Sequence, residues 1–213
     1  MTDLKLYSSL LSANGRKVQA VCCALQIDIT IEEVNVYAGQ GNSLEYLKIN
    51  PLGQIPVLSD AHIRLSESNA VLIYLSEKYG NMSLYSSIPE RRAEINRWLF
   101  WESSQWQPML TNIMAKEIGH KLLPELLEAP RSKSDWNNEQ ITMQCRYLES
   151  VLSEREWLAG DELSLADFSV AAMSTYFKTA SFPYNTYPQI AAWLNRLSEN
   201  EAWQKTEHSL WQQ

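Results

Sequence analysis

The stretch Asn50-Pro51-Leu52-Gly53-Gln54-Ile55-Pro56-Val57-Leu58 is where residue types and spacing most directly suggest chemistry. Two prolines bracket a glycine, and the second heads a short apolar run. A proline cannot donate to a sheet ladder, so a strand opened by Pro56 carries an open position beside it. Such a position either stiffens the entry to an edge strand or receives the backbone of an extended ligand. The residues alone leave both readings open. Other reactive groups are sparse. The cysteines are Cys22, Cys23 and Cys145, with no CxxC pair, which argues against a disulfide framework or a two-cysteine redox site. His62, His120 and His208 are scattered and match no ligand spacing, so no metal site is expected. Ser66-Glu67-Ser68-Asn69 offers several helix N-caps. Ser164-Leu165-Ala166-Asp167 is a capping box with Asp in place of Glu, and reads as structural.

The elements that must position these residues follow from periodicity. Leu4, Leu6 and Tyr7 suggest a first strand, and Val18, Val21, Cys22 and Leu25 a helix over residues 14–26. Ile29, Ile31, Val34 and Val36 read as a second strand. A loop with two glycines and a short helix over residues 44–48 lead to the proline-bracketed stretch. Ile55 to Leu58 and Ile63 to Leu65 form a candidate hairpin. Val71, Leu72, Leu75 and Tyr79 share one helical face, and Gly80 is a stop. After a polar linker over residues 81–89 the period becomes helical throughout. A long helix carries Ile95, Trp98, Leu99 and Glu102, with Pro108 expected to kink it. Residues 128–134 read as a connection. Ile141, Cys145, Leu148 and Leu152 mark another helix, Ser164 opens a further one, and Ile190, Trp193, Leu194 and Leu197 mark the last. The order predicts an α/β domain over residues 1–80 and an all-helical domain over 90–213.

Composition narrows the function. A chain of 213 residues with 45% hydrophobic and 20% charged content is long and apolar enough to fold without staples. A formal charge of −7 gives no attraction for phosphate backbones or anionic lipid, so nucleic acid and membrane partners are not expected. No signal peptide and no apolar run of transmembrane length is seen, which predicts a cytoplasmic location.

The islands around Pro56, Glu67-Ser68, Ser12 to Val18 and Leu163 to Phe168, in this order, resemble the glutathione S-transferase family, with the serine-type and related bacterial members closest in the opening turn. The resemblance implies a thioredoxin-like N-terminal domain, an all-helical C-terminal domain and a homodimer. It implies that Pro56 is cis and that the backbone of Ile55 pairs with the cysteinyl part of glutathione. Gln54 lies beside it, Glu67 and Ser68 hold the γ-glutamyl end, and Gln40 (with Asn42 and Lys48 as alternatives) reaches the glycyl carboxylate. Ser12, in the turn before the first helix, is the first candidate to stabilise the thiolate, with Asn14 its main competitor and Ser9 and Tyr7 behind. Lowering a thiol from a pKa of about 8.5 by roughly two units takes about 2.7 kcal/mol. A hydrogen bond to a charged group gives about 1.5–3 kcal/mol and a helix N-terminus about 0.3–1 kcal/mol. A hydroxyl at that terminus is therefore sufficient without a metal. The second-substrate pocket is implied between the domains, with Trp106, Met109 and Ile113 as candidate wall residues. The implied reaction is attack of glutathione, as co-substrate, on a small hydrophobic electrophile. A glutathione-dependent disulfide reductase or peroxidase, and a non-catalytic interaction module, are the alternatives. The turn from Ser8 to Gly15 has no cysteine, unlike the cysteine-type members.

Overall fold

A computed structural model describes residues 4–80, 83–122 and 135–209. Residues 81 and 82 of the expected linker and the expected connection at 128–134 lie outside them. The N-terminal half is built from β1 (Lys5–Ser8), α1 (Ala13–Ala24), β2 (Thr30–Glu33), α2 (Leu44–Leu47), β3 (Val57–Asp60), β4 (Ile63–Leu65) and α3 (Ser68–Lys78). The four strands form one sheet in the order β2-β1-β3-β4. β2 runs parallel to β1, with Leu6 opposite Ile31. β3 is antiparallel to both β1 and β4, with Leu58 opposite Leu6 and Leu65. A parallel pair needs a crossover, and α1 supplies it. Leu4, Leu6 and Leu58 are buried with Val18, Val21 and Cys22 of α1 and Val71, Leu72 and Leu75 of α3. β2 is shorter than its β-branched run suggests. Ile31 is partly exposed at the sheet edge, and Val34 is already past the strand, donating its N–H to the Ser8 carbonyl.

Past α3 the elements of the described residues are helices: α4 (Pro89–Trp101), α5 (Gln107–Leu122), α6 (Glu139–Leu152), α7 (Leu165–Ala171), α8 (Pro188–Ser198) and α9 (Glu201–Gln204), with a 3-10 turn over Ala172–Tyr176. This is the α/β-plus-all-α architecture expected from the sequence. The long helix is interrupted ahead of Pro108. A π turn over Glu102–Trp106 joins α4 to α5, and the Gln107 N–H bonds to the Glu102 carbonyl. Pro108 is the second residue of α5. A proline ring clashes with the carbonyl four residues earlier, here that of Ser104, and a widened turn upstream relieves it. The side chains of Ser103 and Ser104 both donate to the Phe100 carbonyl, which also loosens the regular ladder.

The two halves meet through α1 and α3. Lys17 of α1 is fully buried against Glu102 of the π turn at 3.1 Å, and donates to Asn69 of α3 and Ser169 of α7. Asn69 in turn donates to Glu102 and to the Leu99 carbonyl. Burial pulls the Lys17 ammonium below its ordinary range, and Glu102 opposes that pull. Removing one member of such a pair strands the other charge, at a cost of about 3–5 kcal/mol.

Candidate functional site

Ser12 caps α1. Its backbone is extended (φ −91°, ψ 112°) and its Oγ accepts the Gly15 N–H at 3.0 Å. That bond uses a lone pair and leaves the hydroxyl proton to donate elsewhere. Gly15 lets α1 start close to β1: a Cβ there would stand 1.9 Å from Ser8 Oγ and 3.3 Å from the Cβ atoms of Ser8 and Ser12, so a larger residue would have to push the buried Ser8 hydroxyl aside. The Ala13 N–H is taken by the Tyr176 hydroxyl at 3.2 Å. The Asn14 N–H takes no partner among the described residues, so the first turn of α1 keeps a backbone donor free. Ser12 and Asn14 both line a cavity of about 430 Å³ between the halves.

A second cavity of about 480 Å³ adjoins the first, and Asn14, Gln54, Ile55 and Gln107 line both. Its wall brings together Pro56, Ser66, Glu67, Ser68 and Asn69. The Ile55–Pro56 peptide is cis. The Gln54 carbonyl accepts from the Tyr46 hydroxyl at 2.8 Å and Asn50 Nδ2 at 2.7 Å. In a planar trans peptide the N–H points opposite the C=O, so these two bonds aim the Ile55 N–H away from Tyr46 and Asn50. Among the described residues nothing in the chain claims the Ile55 N–H or C=O. The loop is held by a close crossing of two glycines: a Cβ on Gly41 would lie 2.3 Å from the Gly53 carbonyl. Sequence reasoning missed Tyr46, and it read Asn50 only as part of a loop; Asn50 also accepts the Leu52 N–H, an Asx turn before Pro51 that was legible in principle.

α3 begins differently from α1. Glu67 precedes it at φ +64°, a conformation unusual for a side chain with a Cβ, and makes no side-chain cap. The first N–H groups of α3 are thus left without a side-chain acceptor, at the wall of the second cavity. Ser68 donates to Asn14 Oδ1 across 3.4 Å, a long contact that ties the two helix starts together.

Four sequence expectations are placed elsewhere. Gln40 is exposed, its Oε1 accepts the Asn35 N–H at 2.6 Å, and it lines neither cavity. The tight turn before Gly39 (φ +84°) needs that acceptor and folds the side chain back on its own loop. Trp106 is buried in the core, donating to the Val170 carbonyl at 3.1 Å and stacked on Trp101. Met109 and Ile113 pack against the same core. The cavity face of α5 is instead Gln107, Thr111, Met114, Ala115 and Ile118. The π turn is the reason: one inserted residue rotates the following helix by about 100°. The stripe expected at 106, 109 and 113 moves on by about one residue. Of the alternatives, Ser9 is buried with its Oγ accepting the Leu11 N–H, and Tyr7 packs edge-on to Tyr46. No cysteine lines either cavity. Burial pushes the Cys22 and Cys145 thiols up to about 12.

The chain matches the family model of the glutathione S-transferase N-terminal domain over residues 2–77 and that of the C-terminal domain over residues 116–205. It belongs to the glutathione S-transferase family. Solved structures of the same fold agree. Glutathione transferase F2 from Populus trichocarpa is 27% identical with a TM-score of 0.85, covering 95% of this chain and 96% of that one. An epsilon-class glutathione S-transferase from the housefly Musca domestica is 27% identical at 0.83, covering 98% and 94%. A glutathione transferase homolog from Drosophila mojavensis, solved with bound glutathione, is 25% identical at 0.80, covering 97% and 95%. Within this family the two adjoining cavities have a ready interpretation.

Proposed function

We propose that the protein is a glutathione transferase that holds glutathione in the cavity between Pro56 and the start of α3 and presents its sulfur to the neighbouring cavity. The observation that carries this reading is the junction itself. Four residues serve both cavities, and Ser12 stands at the start of α1 beside them. In this reading Ile55 pairs with the cysteinyl backbone through its free N–H and C=O. The open N–H groups of α3 and the Ser68 hydroxyl take the γ-glutamyl carboxylate. Glu67, exposed on the rim, takes the ammonium group. The Ser12 hydroxyl donates a hydrogen bond to the thiolate, and the free Asn14 N–H adds a second donor from the same turn. The second substrate sits against Leu11, Val36, Tyr37, Met114, Ile118 and Met173, an apolar wall suited to an uncharged electrophile. We place this activity in a cytoplasmic homodimer, as the family resemblance implies.

The test is a calorimetric titration with glutathione followed by thiolate absorbance against pH in the binary complex. Millimolar or tighter binding with a thiol pKa near 6.5 supports the reading, about two units below the free value. No heat at millimolar glutathione overturns it. Ser12→Ala should lower conjugation of an aryl halide by tenfold or more while leaving glutathione affinity within about twofold.

A further inference from the structure

The Tyr176 hydroxyl reaches across from the C-terminal half to the turn that carries Ser12. It accepts the Ala13 N–H at 3.2 Å and donates to the Leu11 carbonyl. Those two groups belong to the peptide planes on either side of the Ser12 Cα. A residue's φ and ψ are the rotations of its two flanking planes, so one hydroxyl that grips both planes fixes both angles. Tyr176 is the last residue of the 3-10 turn that follows α7, and its neighbour Thr175 accepts from Arg16 Nη1 at 3.0 Å. Arg16 also donates to Thr206 and lies over the Trp203 ring at 4.0 Å. The first turn of α1 is thus docked on the C-terminal half at consecutive residues, and the Tyr176 contact is made to the backbone of the turn itself.

We propose that Tyr176 is a positioning residue for the thiolate donor, holding the Ser12 hydroxyl at the angle from which it serves the sulfur. The inference rests on the function proposed above. A donor stabilises an anion only when it is already aimed at the anion's position, since reorienting it during the reaction gives back the gain. Ser12 lies in a loop between a strand and a helix, and the inner edges of its two peptide planes are held within the turn, by the Ser12 N–H on the Ser9 carbonyl at 3.0 Å and the Arg16 N–H on the Ser12 carbonyl at 2.8 Å. Tyr176 grips the opposite edge of each plane, the Leu11 carbonyl and the Ala13 N–H, and so ties the angle of the turn to the C-terminal half. The titratable groups facing its hydroxyl are Arg16 from α1 and Tyr37 from the loop after β2. Burial pushes the phenol well above its ordinary range, so it keeps the proton it donates to Leu11. Because the Tyr176 ring also lines the second-substrate cavity, the restraint is fixed in the wall against which the electrophile rests.

The experiment compares Tyr176→Phe with the wild-type protein. The ring and its packing stay, and only the hydroxyl goes. The expected result is a bound-thiol pKa raised by about one unit, with kcat/KM about threefold lower at pH 7, approaching tenfold lower below about pH 5.5, and recovering at high pH. Glutathione affinity should stay within twofold. In a Ser12→Ala background the same change should add no further loss, because the two act through one group. Thr175→Val loosens the same docking without touching the turn, and its thiol should titrate as in the wild type. An unchanged thiol pKa in Tyr176→Phe, whatever its melting temperature, overturns the proposal, as does an equal loss in the Ser12→Ala background. A measurement on the wild-type protein stands independent of how the variant folds: the Ala13 amide should be protected from hydrogen exchange, and exchange at the rate of an exposed amide overturns the clamp. Absence of glutathione binding by the wild-type protein would instead refute the underlying function, so the two failures are distinct.

Discussion

Two helices of this protein begin at nearly the same sequence signal and end up with opposite fates. α7 starts at Ser164-Leu165-Ala166-Asp167, and α3 starts at Ser66-Glu67-Ser68-Asn69. At α7 the box closes. Asp167 accepts from the Ser164 N–H and hydroxyl at 3.0 Å each, from the Leu158 N–H at 2.9 Å and from Trp193 Nε1 at 3.1 Å. All of it is buried, and nothing is left for a ligand. At α3 the box stays open. The cap position falls on Glu67, which is turned to positive φ and caps nothing, and three places on stands Ala70, which has no side chain to return; the Asn69 amide is spent on Leu99 and Glu102. The same kind of helix end is a fold-holding joint in one half and, in the proposed function, a binding surface in the other. What separates them is register: Ser164 lands on the cap with Asp167 three residues on, whereas Ser66 falls one residue short of it.

Breaking the closed end should give the largest effect. Asp167→Ala leaves the Leu158 and Ser164 N–H groups and the Trp193 indole N–H buried without an acceptor. Each such group costs about 1–3 kcal/mol, and a lost cap about 1 kcal/mol. A loss of about 4 kcal/mol in urea unfolding is expected, with glutathione affinity of the folded fraction unchanged. A loss below 1 kcal/mol would mean that α7 is not held by its box.

The closed end also has a pH signature. Burial pushes the Asp167 carboxyl up to about 6, with the bonds from Leu158, Ser164 and Trp193 opposing it. In the unfolded chain an aspartate titrates near ~3.9. Between those values the folded state holds more protons than the unfolded state, so stability falls as pH rises from about 4 to about 6. The size is on the order of 2 kcal/mol. Unfolding free energies measured across that window should show the slope in the wild type and a flattened one in Asp167→Asn. Asp60 slopes the other way. Lys78 foremost, then Tyr74 and Tyr79, hold its carboxyl well below the usual range, so its contribution is present above about pH 4 and lost on further acidification.

At the open end the effect moves from stability to binding. Ser68→Ala removes a hydroxyl from the second cavity and the long contact to Asn14. A hydrogen bond to a carboxylate is worth about 1.5–3 kcal/mol, so glutathione should bind at least tenfold more weakly by calorimetry. The melting temperature should move by no more than a few degrees. Equal affinity with lost stability would make Ser68 an ordinary helix residue and the comparison false.

The closed box could be read from the sequence because both partners lie within three residues and the bonds are local. Around Gln54, Ile55 and Pro56 the residues alone gave a rigid entry to a strand and left its purpose open; the cis bond and the ligand roles came from the family resemblance. Tyr176 was legible only as one more core aromatic. Its hydroxyl acts on residues 163 and 165 positions away, and no local pattern carries that distance. The wall of the first cavity was named only from the pocket that the resemblance implies along the long helix, with Trp106, Met109 and Ile113 as candidates. A local pattern does not show the π turn that precedes α5, and the α5 side chains at the cavity are Gln107, Thr111, Met114 and Ile118. Gln40 lies away from both cavities because its side chain, in a tight turn, is taken by the nearby Asn35 N–H.

Glu67 gives the smallest and sharpest test of the comparison. Its φ of +64° lies in the left-handed half of the map, where a Cβ costs roughly 1–3 kcal/mol and glycine pays almost nothing. No side-chain cap at α3 compensates for this. If that conformation is maintained because it turns the carboxylate and the first N–H groups of α3 toward a ligand, Glu67→Gly should separate the two properties. The variant relieves the backbone but also frees the unfolded chain, an opposing effect of about 0.5–1 kcal/mol. A net gain of about 1 kcal/mol in unfolding free energy is therefore expected together with weaker glutathione binding. Glu67→Ala keeps the Cβ and its cost, so it should lose the affinity without the gain. Stability that falls in the glycine variant as much as in the alanine variant would show that Glu67 holds α3 in place, and the open end would then be closed by other means.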